Sequence, residues 1–583
     1  MGAVGALEAV DVGERAQRQK AVAQHVGDGA ADGAQPSKVG REHRRLEAPR
    51  RQRLPAAPLL RGSRQVIRAT GIVLSGIRVC DCGGLVGRRS HIGEVCTMPR
   101  GGKSGKRGVR RTKIVCTIGP ATFAREMLER LARAGMDVAR LNFSHGDHAQ
   151  HARTISNLRA VEHKLGRPIG ILQDLAGPKL RIGELPDGEV ELKARDVVLL
   201  SVKPTAGPNR IPLPLPEVLG ALSEGHRVVL GDGLIELTVL GKTRTGARCR
   251  VKVGGTLRSH QGIHVPDARL PIRTVTEKDL DDLRFGLEHG VDWVAMSFVR
   301  SAEDLDPLRR EIARAGKRVS LMAKIEKHEA IERLPEIIDA VDGVMVARGD
   351  LGIELPLDRV PILQKTIIRG CNAAGKPVVT ATQMLETMIE NPRPTRAEVS
   401  DIANAVLDGT DAVMLSGETA IGRYPVDAVK VMARVAERGE AAFDYSARLA
   451  ESSQWPCRTV TDGISQATVT LAHDLGARAI ISATATGHTA LMVAMHRPER
   501  PIIAVTPDVA TQRRLTIAWG VYPLVATRGR NTDELIVNAM ARGQEAGLVK
   551  EGDVVVVTAG VPAGVSGRTN LIKVEVVGEH HRF

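Results

Sequence analysis

Residues 320–350 read SLMAKIEKHEAIERLPEIIDAVDGVMVARGD and contain a strand, a helical segment and a second strand in succession. The runs SLMAKIE and GVMVARGD are short and apolar, as strands of a parallel sheet are, and the segment between them has helical length. Lys324, Glu326 and Asp350 lie where these strands end. The stretch therefore predicts one unit of an α/β fold with polar residues at the carboxyl edge of its sheet.

The same alternation begins at Thr112 and predicts eight strands: KIVCTIG (113–119), DVARLNF (137–143), IGILQD (169–174), WVAMSF (293–298), SLMAKIE (320–326), GVMVARGD (343–350), PVVTATQ (377–383) and AVMLSGE (412–418). Polar residues collect at their carboxyl ends: Asn142, Asp174, Ser297, Lys324, Glu326, Asp350, Thr382 and Glu418. Eight such units favour a closed (β/α)8 TIM barrel, whose active site belongs at those ends.

Changes in this pattern predict two further domains. Residues 180–270 switch to short alternating strands with Gly, Pro and Asp turns, which indicates a small β-barrel domain inserted in the TIM barrel and suited to act as a lid. A second series of βα units, with strands near ARAIISAT, PIIAVT and DVVVVTA, predicts a separate α/β domain over 439–583. The TIM barrel is then assigned to 111–179 and 271–438.

The first 110 residues differ from the rest in composition and charge. Residues 1–97 are rich in Gly, Ala, Arg and Gln without periodicity, which favours a disordered basic extension or a synthesis start at Met98. Residues 1–113 hold 23 Lys and Arg against 9 Asp and Glu, so nearly all of the net charge of +15 lies there. Because only 2% of residues are aromatic, nucleic-acid binding is a weak alternative confined to this extension.

Cysteine usage and hydropathy bear on location. The seven cysteines are scattered, which is typical of a reducing cytoplasm rather than of a disulfide framework. Cys80 and Cys82 form a C-x-C without a second pair nearby, which disfavours a zinc site. No apolar run approaches the roughly 18 residues that a membrane-spanning helix needs. We therefore expect a cytoplasmic protein that does not span a membrane.

Lys324, Glu326 and Asp350 form the most informative combination of polar residues. Strand side chains alternate with period two, so Lys324 and Glu326 point toward the same barrel mouth. Carboxylates on adjacent strands suit Mg²⁺, and a lysine between them brings positive charge to a developing anion. From these residues alone, a structural network of ion pairs remains an open alternative.

Other strand ends add groups that suit a phosphorylated substrate. Arg140 offers a guanidinium fork that matches a phosphoryl group, and Asn142 and Ser144 on the same face offer oxygens to a monovalent cation. The Thr382 hydroxyl at the mouth is able to relay a proton through water. His145 is expected to pack or to contact a nucleotide rather than to act as a base.

A run of hydroxyls in the C-terminal domain, TATGHT at 484–489, precedes a predicted helix. Its candidate binding residues are Thr484, Thr486, Gly487 and Thr489. Hydroxyls and a glycine at the start of a helix suit a phosphate group. An ordinary N-capped helix is the open alternative.

Five long segments resemble the pyruvate kinases: ARLNFSHGDHAQH (139–151), QDLAGPKLRIG (173–183), TEKDLDDLRFGLEHGVDWVAMSFVR (276–300), AKIEKHEAIERLPEIIDAVDGVMVARGDLGIELP (323–356) and ATQMLETMIENPRPTRAEVSDIANAVLDGTDAVMLSGETAIGRYP (381–425). The resemblance runs from Arg111 to Val577 in the family's order. It implies phosphoryl transfer from phosphoenolpyruvate to ADP, giving pyruvate and ATP, the last step of glycolysis. It also implies Mg²⁺ or Mn²⁺ as cofactor and a homotetramer.

The resemblance assigns roles to matching positions around the substrate. Glu326 and Asp350 would hold the divalent metal, and Lys324 would neutralise charge on the phosphoryl group and on the enolate. Arg140 would grip the phosphoryl group, and the backbone of Gly349 would meet the substrate carboxylate.

Further positions acquire roles in the same way. Thr382 would bind substrate and lie on the proton path, with Ser416 and Glu418 behind it. The positions matching nucleotide contacts are Asn142, His145 and Arg181. The loop at 484–489, with a second loop at 560–570, would bind an activating sugar phosphate or AMP.

One departure from the family concerns K⁺. Members that need K⁺ resemble one another in having Thr at 175 and Glu at 179, whereas this chain has Leu175 and Lys179. The remaining positions that match the K⁺ ligands are Asn142, Ser144 and Asp174, together with the carbonyl of Leu175. A tethered ammonium on Lys179 would replace the ion, so we expect activity without K⁺.

A second departure lies in the inserted domain. Many members have a lysine before the glycine that corresponds to Gly262, and this chain has Gln261 there. That lysine is thought to touch the nucleotide, so one contact is in doubt. Arg258 and Arg273 are the nearby basic residues that would substitute.

Two rival interpretations follow from the same residues. Metal-dependent aldolases and mutases also place Glu and Asp around Mg²⁺ in a barrel, but they lack the inserted domain, the NPRPTR loop and the C-terminal domain. The other rival is a non-catalytic binding protein that works through its basic N-terminus. The presence of every catalytic residue carried over from the family disfavours this second interpretation.

Overall fold

The structure is a computed structural model, and it describes residues 110–202, 209–527, 529, 531–561 and 569–579. These residues belong to one unit of the chain, Arg100–Phe583. The predicted basic extension, with Cys80, Cys82 and Met98, lies outside the described residues, as does most of the loop at 560–570. No helix within the described ranges is long and apolar enough to span a bilayer.

Three buried parallel strands and two helices form the first part of a barrel: β1 (Lys113–Ile118), α1 (Arg125–Ala134), β2 (Val138–Asn142), α2 (His148–Leu165) and β3 (Gly170–Leu175). Every residue of β1 and β3 is buried, as their apolar sequences predict. Asp147 caps α2 by accepting a hydrogen bond from the Gln150 backbone N–H at 2.7 Å. The polar segment after β2 is thereby held at the rim of the barrel.

A small β domain follows β3: β4 (Glu189–Leu192), β5 (Val197–Ser201), β6 (Arg210–Pro212), α3 (Pro216–Ala221), β7 (Arg227–Leu230), β8 (Ile235–Thr243), β9 (Gly246–Val253), β10 (Gly255–Arg258) and β11 (Ile263–His264). The described strands pair as a six-stranded sheet of order β11-β7-β8-β9-β5-β6 and as a two-stranded sheet of β10 and β4. One apolar core lies between them. The small barrel expected here is therefore two sheets around a common core, without a closed ring among the described strands.

The remaining five barrel strands are β12 (Trp293–Met296), β13 (Ser320–Ile325), β14 (Gly343–Ala347), β15 (Val378–Ala381) and β16 (Ala412–Leu415). The accompanying helices are α4 (Glu277–His289), α5 (Asp306–Arg314), α6 (His328–Glu332), α7 (Leu334–Ala340), α8 (Arg348–Glu354), α9 (Val360–Ala373), α10 (Arg396–Leu407), α11 (Gly417–Ala420) and α12 (Pro425–Ala441). Short 3₁₀ helices occupy Glu303–Leu305, Leu357–Arg359 and Glu386–Ile389. A capping box between Thr395 and Glu398 starts α10 directly after the NPRPTR loop.

The eight strands close a parallel barrel of order β1-β2-β3-β12-β13-β14-β15-β16, with β16 pairing back to β1. All eight strands predicted from the sequence are present, so the expected (β/α)8 barrel is confirmed. Its helices pack on the outside through one large apolar cluster, and a second cluster fills its interior. The mouth is therefore left to polar side chains at the carboxyl ends of the strands.

The C-terminal part is an α/β domain with these elements: α13 (Tyr445–Ser452), α14 (Val460–Asp474), β17 (Ala479–Ala483), α15 (His488–Ala494), β18 (Ile502–Thr506), α16 (Val509–Arg514), a 3₁₀ helix (Leu515–Ile517), β19 (Val521–Val525), α17 (Thr532–Glu545), β20 (Val554–Ala559) and β21 (Leu571–Val576). The sheet order is β19-β18-β17-β20-β21, and only β21 pairs antiparallel among these strands. The three strands expected from the sequence are β17, β18 and β20.

This domain covers the amino end of the barrel. Ile517 packs into the cluster that fills the barrel interior. Trp293, the first residue of β12, donates its indole N–H to the Arg514 carbonyl at 3.0 Å, and the Lys113 ammonium donates to the Val521 carbonyl at 2.7 Å. The amino end is thus closed, so a ligand that enters the barrel must do so from the carboxyl end.

Candidate active site

Lys324 is the centre of a buried ion-pair cluster at the carboxyl ends of the strands. Its ammonium donates to Ser297 Oγ at 2.7 Å and lies 2.9 Å from Glu326 Oε1 and 3.3 Å from Asp174 Oδ1. Burial alone would lower the pKa of Lys324, but the Asp174 and Glu326 carboxylates raise that pKa above its ordinary value. Lys324 therefore carries a fixed positive charge at the barrel mouth.

Arg140 is held by the Asp174 carboxylate of the neighbouring strand. Its Nε donates to Asp174 Oδ2 at 2.6 Å, and its Nη1 donates to Thr117 Oγ1 at 2.9 Å. Burial favours the neutral form of Asp174, but Lys324 and Arg140 hold the pKa of Asp174 below its ordinary value. The Nη2 nitrogen has no hydrogen-bond partner in the described part of the chain, so it is available to a ligand.

Glu326 and Asp350 meet the chemical requirements of a Mg²⁺ site. Glu326 accepts a hydrogen bond from the Phe298 backbone N–H at 2.7 Å, and burial together with the nearby Asp350 charge raises the pKa of Glu326 above its ordinary value. The Asp350 carboxylate makes no hydrogen bond or ion pair with any residue that the structure describes. A divalent cation bound by both carboxylates would offset the repulsion between the Glu326 and Asp350 charges. Carboxylate oxygens are the ligands that Mg²⁺ prefers, so the residues present fit that ion.

Thr382 occupies a strained position directly after β15. Its φ is +68° and that of Gln383 is +55°, in the left-handed region that β-branched residues rarely adopt. Its hydroxyl accepts a hydrogen bond from the Gly349 backbone N–H at 2.8 Å and donates to the Ala381 carbonyl at 2.7 Å. Such strain is typical of functional sites, and here it places the hydroxyl against the turn that carries Asp350.

Arg348 fixes this turn, and the sequence reasoning missed it. Its guanidinium donates to the Thr382 carbonyl at 2.6 Å and pairs with Asp401 at the same distance. The sequence contains a signal for Arg348, because it is a charged residue directly after the apolar strand residues GVMVA. Its neighbours Gly349 and Asp350 drew attention because they match ligand-binding groups, whereas Arg348 binds the protein itself.

The positions that match a monovalent-cation site lie together on β2 and β3. Asn142 Oδ1 accepts from the Ser144 backbone N–H at 3.1 Å, and the Leu175 carbonyl accepts from Ser297 Oγ at 2.8 Å. Asp174 Oδ1 is buried and accepts no hydrogen bond in the described residues. Lys179 is exposed. Its pKa is lowered by partial burial of the side chain and by the nearby charges of Arg181 and Lys324. Lys179 makes no ion pair with the carboxylates that the structure describes.

A cavity of about 540 Å³ lies between the barrel mouth and the inserted domain. The barrel wall of this cavity includes Phe298, Lys327 and Asp350, and its inserted-domain wall includes Arg258, His260 and Gln261. Lys179 and Arg181 line it as well. Its volume is in the range of small-molecule and cofactor sites.

The predicted nucleotide contacts divide between the cavity and its surroundings. Arg181 lines the cavity and donates to the His260 carbonyl at 2.7 Å. His145 is exposed, and partial burial together with the Lys179 and Arg181 charges lowers its pKa. Arg258 lines the cavity, but Arg273 does not.

Glu418 supports the loop that follows Thr382. Its carboxylate accepts from the Leu385 backbone N–H at 2.9 Å and from the Ser416 backbone N–H at 2.7 Å, and burial raises its pKa. The Ser416 hydroxyl is buried without a hydrogen-bond partner in the described residues. Glu418 therefore shapes the backbone near Thr382.

The loop at 484–489 is largely satisfied by its own hydrogen bonds. Thr484 Oγ1 accepts from the Gly487 backbone N–H at 3.0 Å, and the Thr489 and Thr569 hydroxyls are 2.8 Å apart. Gly487 has a φ of +91°, and Thr486 is exposed. The structure thus brings the four predicted residues together at the start of α15.

Comparisons with known proteins agree on one family. The profile described as "Pyruvate kinase, barrel domain" matches residues 109–429, and that described as "Pyruvate kinase, alpha/beta domain" matches residues 462–575. Pyruvate kinase 2 of Synechocystis sp. is 50% identical over 474 residues, which are 80% of this chain and 79% of that protein. The pyruvate kinase of Geobacillus stearothermophilus is 46% identical over 474 residues, and that of Staphylococcus saprophyticus is 44% identical over 475, in each case 81% of both chains.

Matches of this extent go well beyond a shared barrel, because they include both domain types in their order along the chain. They confirm the resemblance seen in the sequence and agree with the geometry of the barrel mouth. The chain belongs to the pyruvate kinase family, the phosphotransferases that convert phosphoenolpyruvate and ADP to pyruvate and ATP.

Proposed function

We propose that this reaction takes place at the barrel mouth around Lys324, with Glu326 and Asp350 holding Mg²⁺, and that it needs no K⁺. Members of the family generally need Mg²⁺. The observation that carries the proposal is the buried Lys324 ammonium, 2.9 Å from Glu326 Oε1 and 3.3 Å from Asp174 Oδ1, at the barrel mouth where Asp350 lines the cavity. When bound, Mg²⁺ supplies positive charge to the substrate's carboxylate and phosphoryl oxygens.

The first step of the proposed mechanism is phosphoryl transfer. The bond between phosphorus and the enol oxygen breaks, and a new bond forms to a terminal phosphate oxygen of ADP. Lys324 stabilises the negative charge that collects on the phosphoryl group and on the enol oxygen. Arg140, held by Asp174 and Thr117, offers its remaining nitrogen to the phosphoryl oxygens. The substrate carboxylate replaces Thr382 Oγ1 as the acceptor of the Gly349 backbone N–H.

The second step is protonation of the enolate carbon, which gives pyruvate. Thr382 is the proposed residue of the proton path. At the mouth its hydroxyl both accepts a hydrogen bond, from the Gly349 backbone N–H, and donates one, to the Ala381 carbonyl. Arg348 and Glu418 act as positioning residues that hold the backbone on either side of it. The proton itself comes from water that reaches this hydroxyl.

Independence from K⁺ rests on Lys179 in the proposal. Its side chain lines the cavity, and the charges of Asp174 and Asp350 act on it. An ammonium there supplies the positive charge that K⁺ would bring, while the Leu175 carbonyl already accepts a hydrogen bond from Ser297. Asn142 and His145 then belong to the nucleotide contacts, together with Arg181.

The test is phosphoenolpyruvate- and ADP-dependent formation of pyruvate with Mg²⁺, in buffers with and without KCl. Turnover in both buffers supports the complete proposal. A rate that collapses without K⁺ and returns with KCl would keep the reaction and remove the role of Lys179. Turnover with Mn²⁺ in place of Mg²⁺ is expected, since both ions accept carboxylate ligands.

The proposal extends to regulation, assembly and location. Thr484, Thr486, Gly487 and Thr489 bind an activating sugar phosphate or AMP in a cytoplasmic homotetramer. The four cysteines of the described residues are free, which is consistent with a reducing compartment: Cys116, Cys249, Cys371 and Cys457. Thermal unfolding with sugar phosphates and with AMP tests the activator, and the absence of any shift would favour a plain helix cap. Sedimentation equilibrium tests the tetramer.

A further inference from the structure

A second group of potential metal ligands lies on the barrel wall of the cavity, outside the cluster around Lys324. It consists of His328 and Glu329 at the start of α6 and Glu354 at the end of α8, and we refer to it as the His328 cluster. One ligand atom from each residue lies within 4.8 Å of the other two. Glu329 and Glu354 also line the cavity.

The distances within the His328 cluster are those of ligands around one ion. His328 Nδ1 lies 3.2 Å from Glu329 Oε2 and 3.5 Å from Glu354 Oε2. Nitrogen and oxygen ligands at about 2.0–2.2 Å from a metal lie roughly 3–4 Å from one another. An ion placed beside His328 Nδ1 would therefore reach either carboxylate without a change of backbone, and the third separation in the cluster is within 4.8 Å.

The same three atoms lack hydrogen-bond partners. His328 Nδ1, Glu329 Oε2 and Glu354 Oε2 are each buried and make no well-directed hydrogen bond among the described residues, while the two carboxylate oxygens lie at ion-pair distance, 3.2 Å and 3.5 Å, from His328 Nδ1. The Glu354 side chain is only 1% exposed. Burying polar atoms without partners is costly, and three such atoms that converge on one point indicate an occupant between them.

The charges near the cluster favour a cation. Glu354 Oε1 accepts from the Lys327 ammonium at 2.5 Å and lies 3.6 Å from His264 Nδ1. Lys327 balances only one of the two carboxylates, so a negative charge remains at the point where the three unpartnered atoms meet.

We propose that the His328 cluster binds a divalent transition-metal ion, for which Mn²⁺ serves as the paramagnetic probe, separate from the Mg²⁺ held by Glu326 and Asp350. One imidazole and two carboxylates suit such an ion better than Mg²⁺, which takes oxygen ligands. The ion joins α6 to α8 on the cavity wall, next to His264 of the inserted domain. The competing occupant is a proton on His328, which would make the ring an imidazolium between two carboxylates.

Binding of Mn²⁺ to the full-length, chelator-treated protein without substrates tests the proposal. Equilibrium dialysis should give two bound Mn²⁺ ions per chain, falling to one in Glu329→Gln and to one in Glu326→Gln. Glu332→Gln, on the same helix and exposed, is the matched control and should keep two. Loss of one ion in Glu329→Gln but not in Glu332→Gln supports the site, and unchanged stoichiometry in Glu329→Gln overturns it.

Pulsed electron paramagnetic resonance of the bound Mn²⁺ identifies the nitrogen ligand independently of catalysis. A ¹⁴N modulation is expected in the Glu326→Gln protein, which keeps only the His328 cluster, and should be absent when His328→Gln is added. The all-oxygen pair Glu326 and Asp350 gives no such modulation. A Glu326→Gln protein that binds no Mn²⁺, or binds it without a nitrogen signal, shows that His328 holds a proton instead.

Discussion

The two walls of the cavity are built in different ways. On the barrel side, at the carboxyl ends of the strands, Lys324 is buried and forms ion pairs with the buried Asp174 and Glu326. On the inserted-domain wall, Arg258 and His260 are exposed. The Arg258 guanidinium pairs with the exposed Glu189 at 3.2 Å.

The barrel side is therefore organised before substrate binds, whereas the inserted-domain wall is able to adapt to a ligand. Buried ion pairs keep their geometry before substrate arrives, so they stabilise charge that develops during the reaction without further reorganisation. An exposed ion pair contributes only about 0–1 kcal/mol to stability, so Arg258 can leave Glu189 and bind a ligand at little cost in free energy. Substitutions on the barrel wall should therefore lower kcat, and substitutions on the inserted-domain wall should raise KM.

Replacing Lys324 should have the largest effect. Lys324→Met removes the fixed charge beside the transferred phosphoryl group, and we expect kcat to fall by about 10²- to 10³-fold, in line with the loss of one preorganised electrostatic group. Steady-state pyruvate formation measures it. A fall of less than tenfold would contradict the assignment of Lys324 to the reaction.

The Lys324→Met protein needs a control for folding, because it leaves Asp174 and Glu326 without their shared partner. Thermal unfolding of Lys324→Met and of Lys324→Arg provides it, since the arginine keeps the charge. A folded Lys324→Met protein with low kcat separates catalysis from stability.

Substitution of Thr382 should have the next largest effect. Thr382→Val keeps the shape but removes the hydroxyl that bonds Gly349 and Ala381, and we expect kcat to fall about 10²-fold, the lower end for a lost proton-transfer group. Thr382→Ser restores the hydroxyl and should recover most of the rate. Exchange of the pyruvate methyl protons with solvent isolates the second step, and exchange at the normal rate in Thr382→Val would remove Thr382 from the proton path.

A substitution of Lys179 tests whether a tethered charge replaces an ion. Lys179→Glu should lower the rate in K⁺-free buffer by about tenfold or more, and KCl should restore it, because the carboxylate supplies a cation ligand in place of the ammonium. Lys179→Met is the matched control, since it removes the ammonium without adding a ligand, and should respond less to KCl. If Lys179→Glu is equally active with and without K⁺, the ammonium has no such role.

The barrel wall could be predicted from sequence because its residues follow strands with a fixed period. Lys324 and Glu326 alternate on one strand, and the barrel brings them to Asp174 on another. Arg348 was missed because its bonds to Thr382 and Asp401 join segments far apart in sequence. The His328 cluster was missed for the same reason, since Glu354 comes from a different helix.

The sheet of the C-terminal domain shows where the sequence pattern fails. β19 contains Pro523, which an edge strand tolerates but which disfavours a strand assignment from sequence. β21 is the other edge and pairs antiparallel with β20, whereas the βα pattern indicates parallel strands. Central strands β17, β18 and β20 are continuous apolar runs and were predicted.

The smallest effect is expected on the inserted-domain wall. Arg258→Ala should raise KM for ADP about three- to tenfold and leave kcat within about twofold, because an exposed guanidinium contributes binding rather than preorganised charge. Arg273→Ala is the matched control, since Arg273 does not line the cavity. Gln261→Lys, at the position where many family members have lysine, should lower KM for ADP in the Arg258→Ala background. Equal KM values in Arg258→Ala and Arg273→Ala would show that neither arginine replaces that lysine. A fall in kcat instead would mean that this wall, like the barrel wall, is organised before the nucleotide binds.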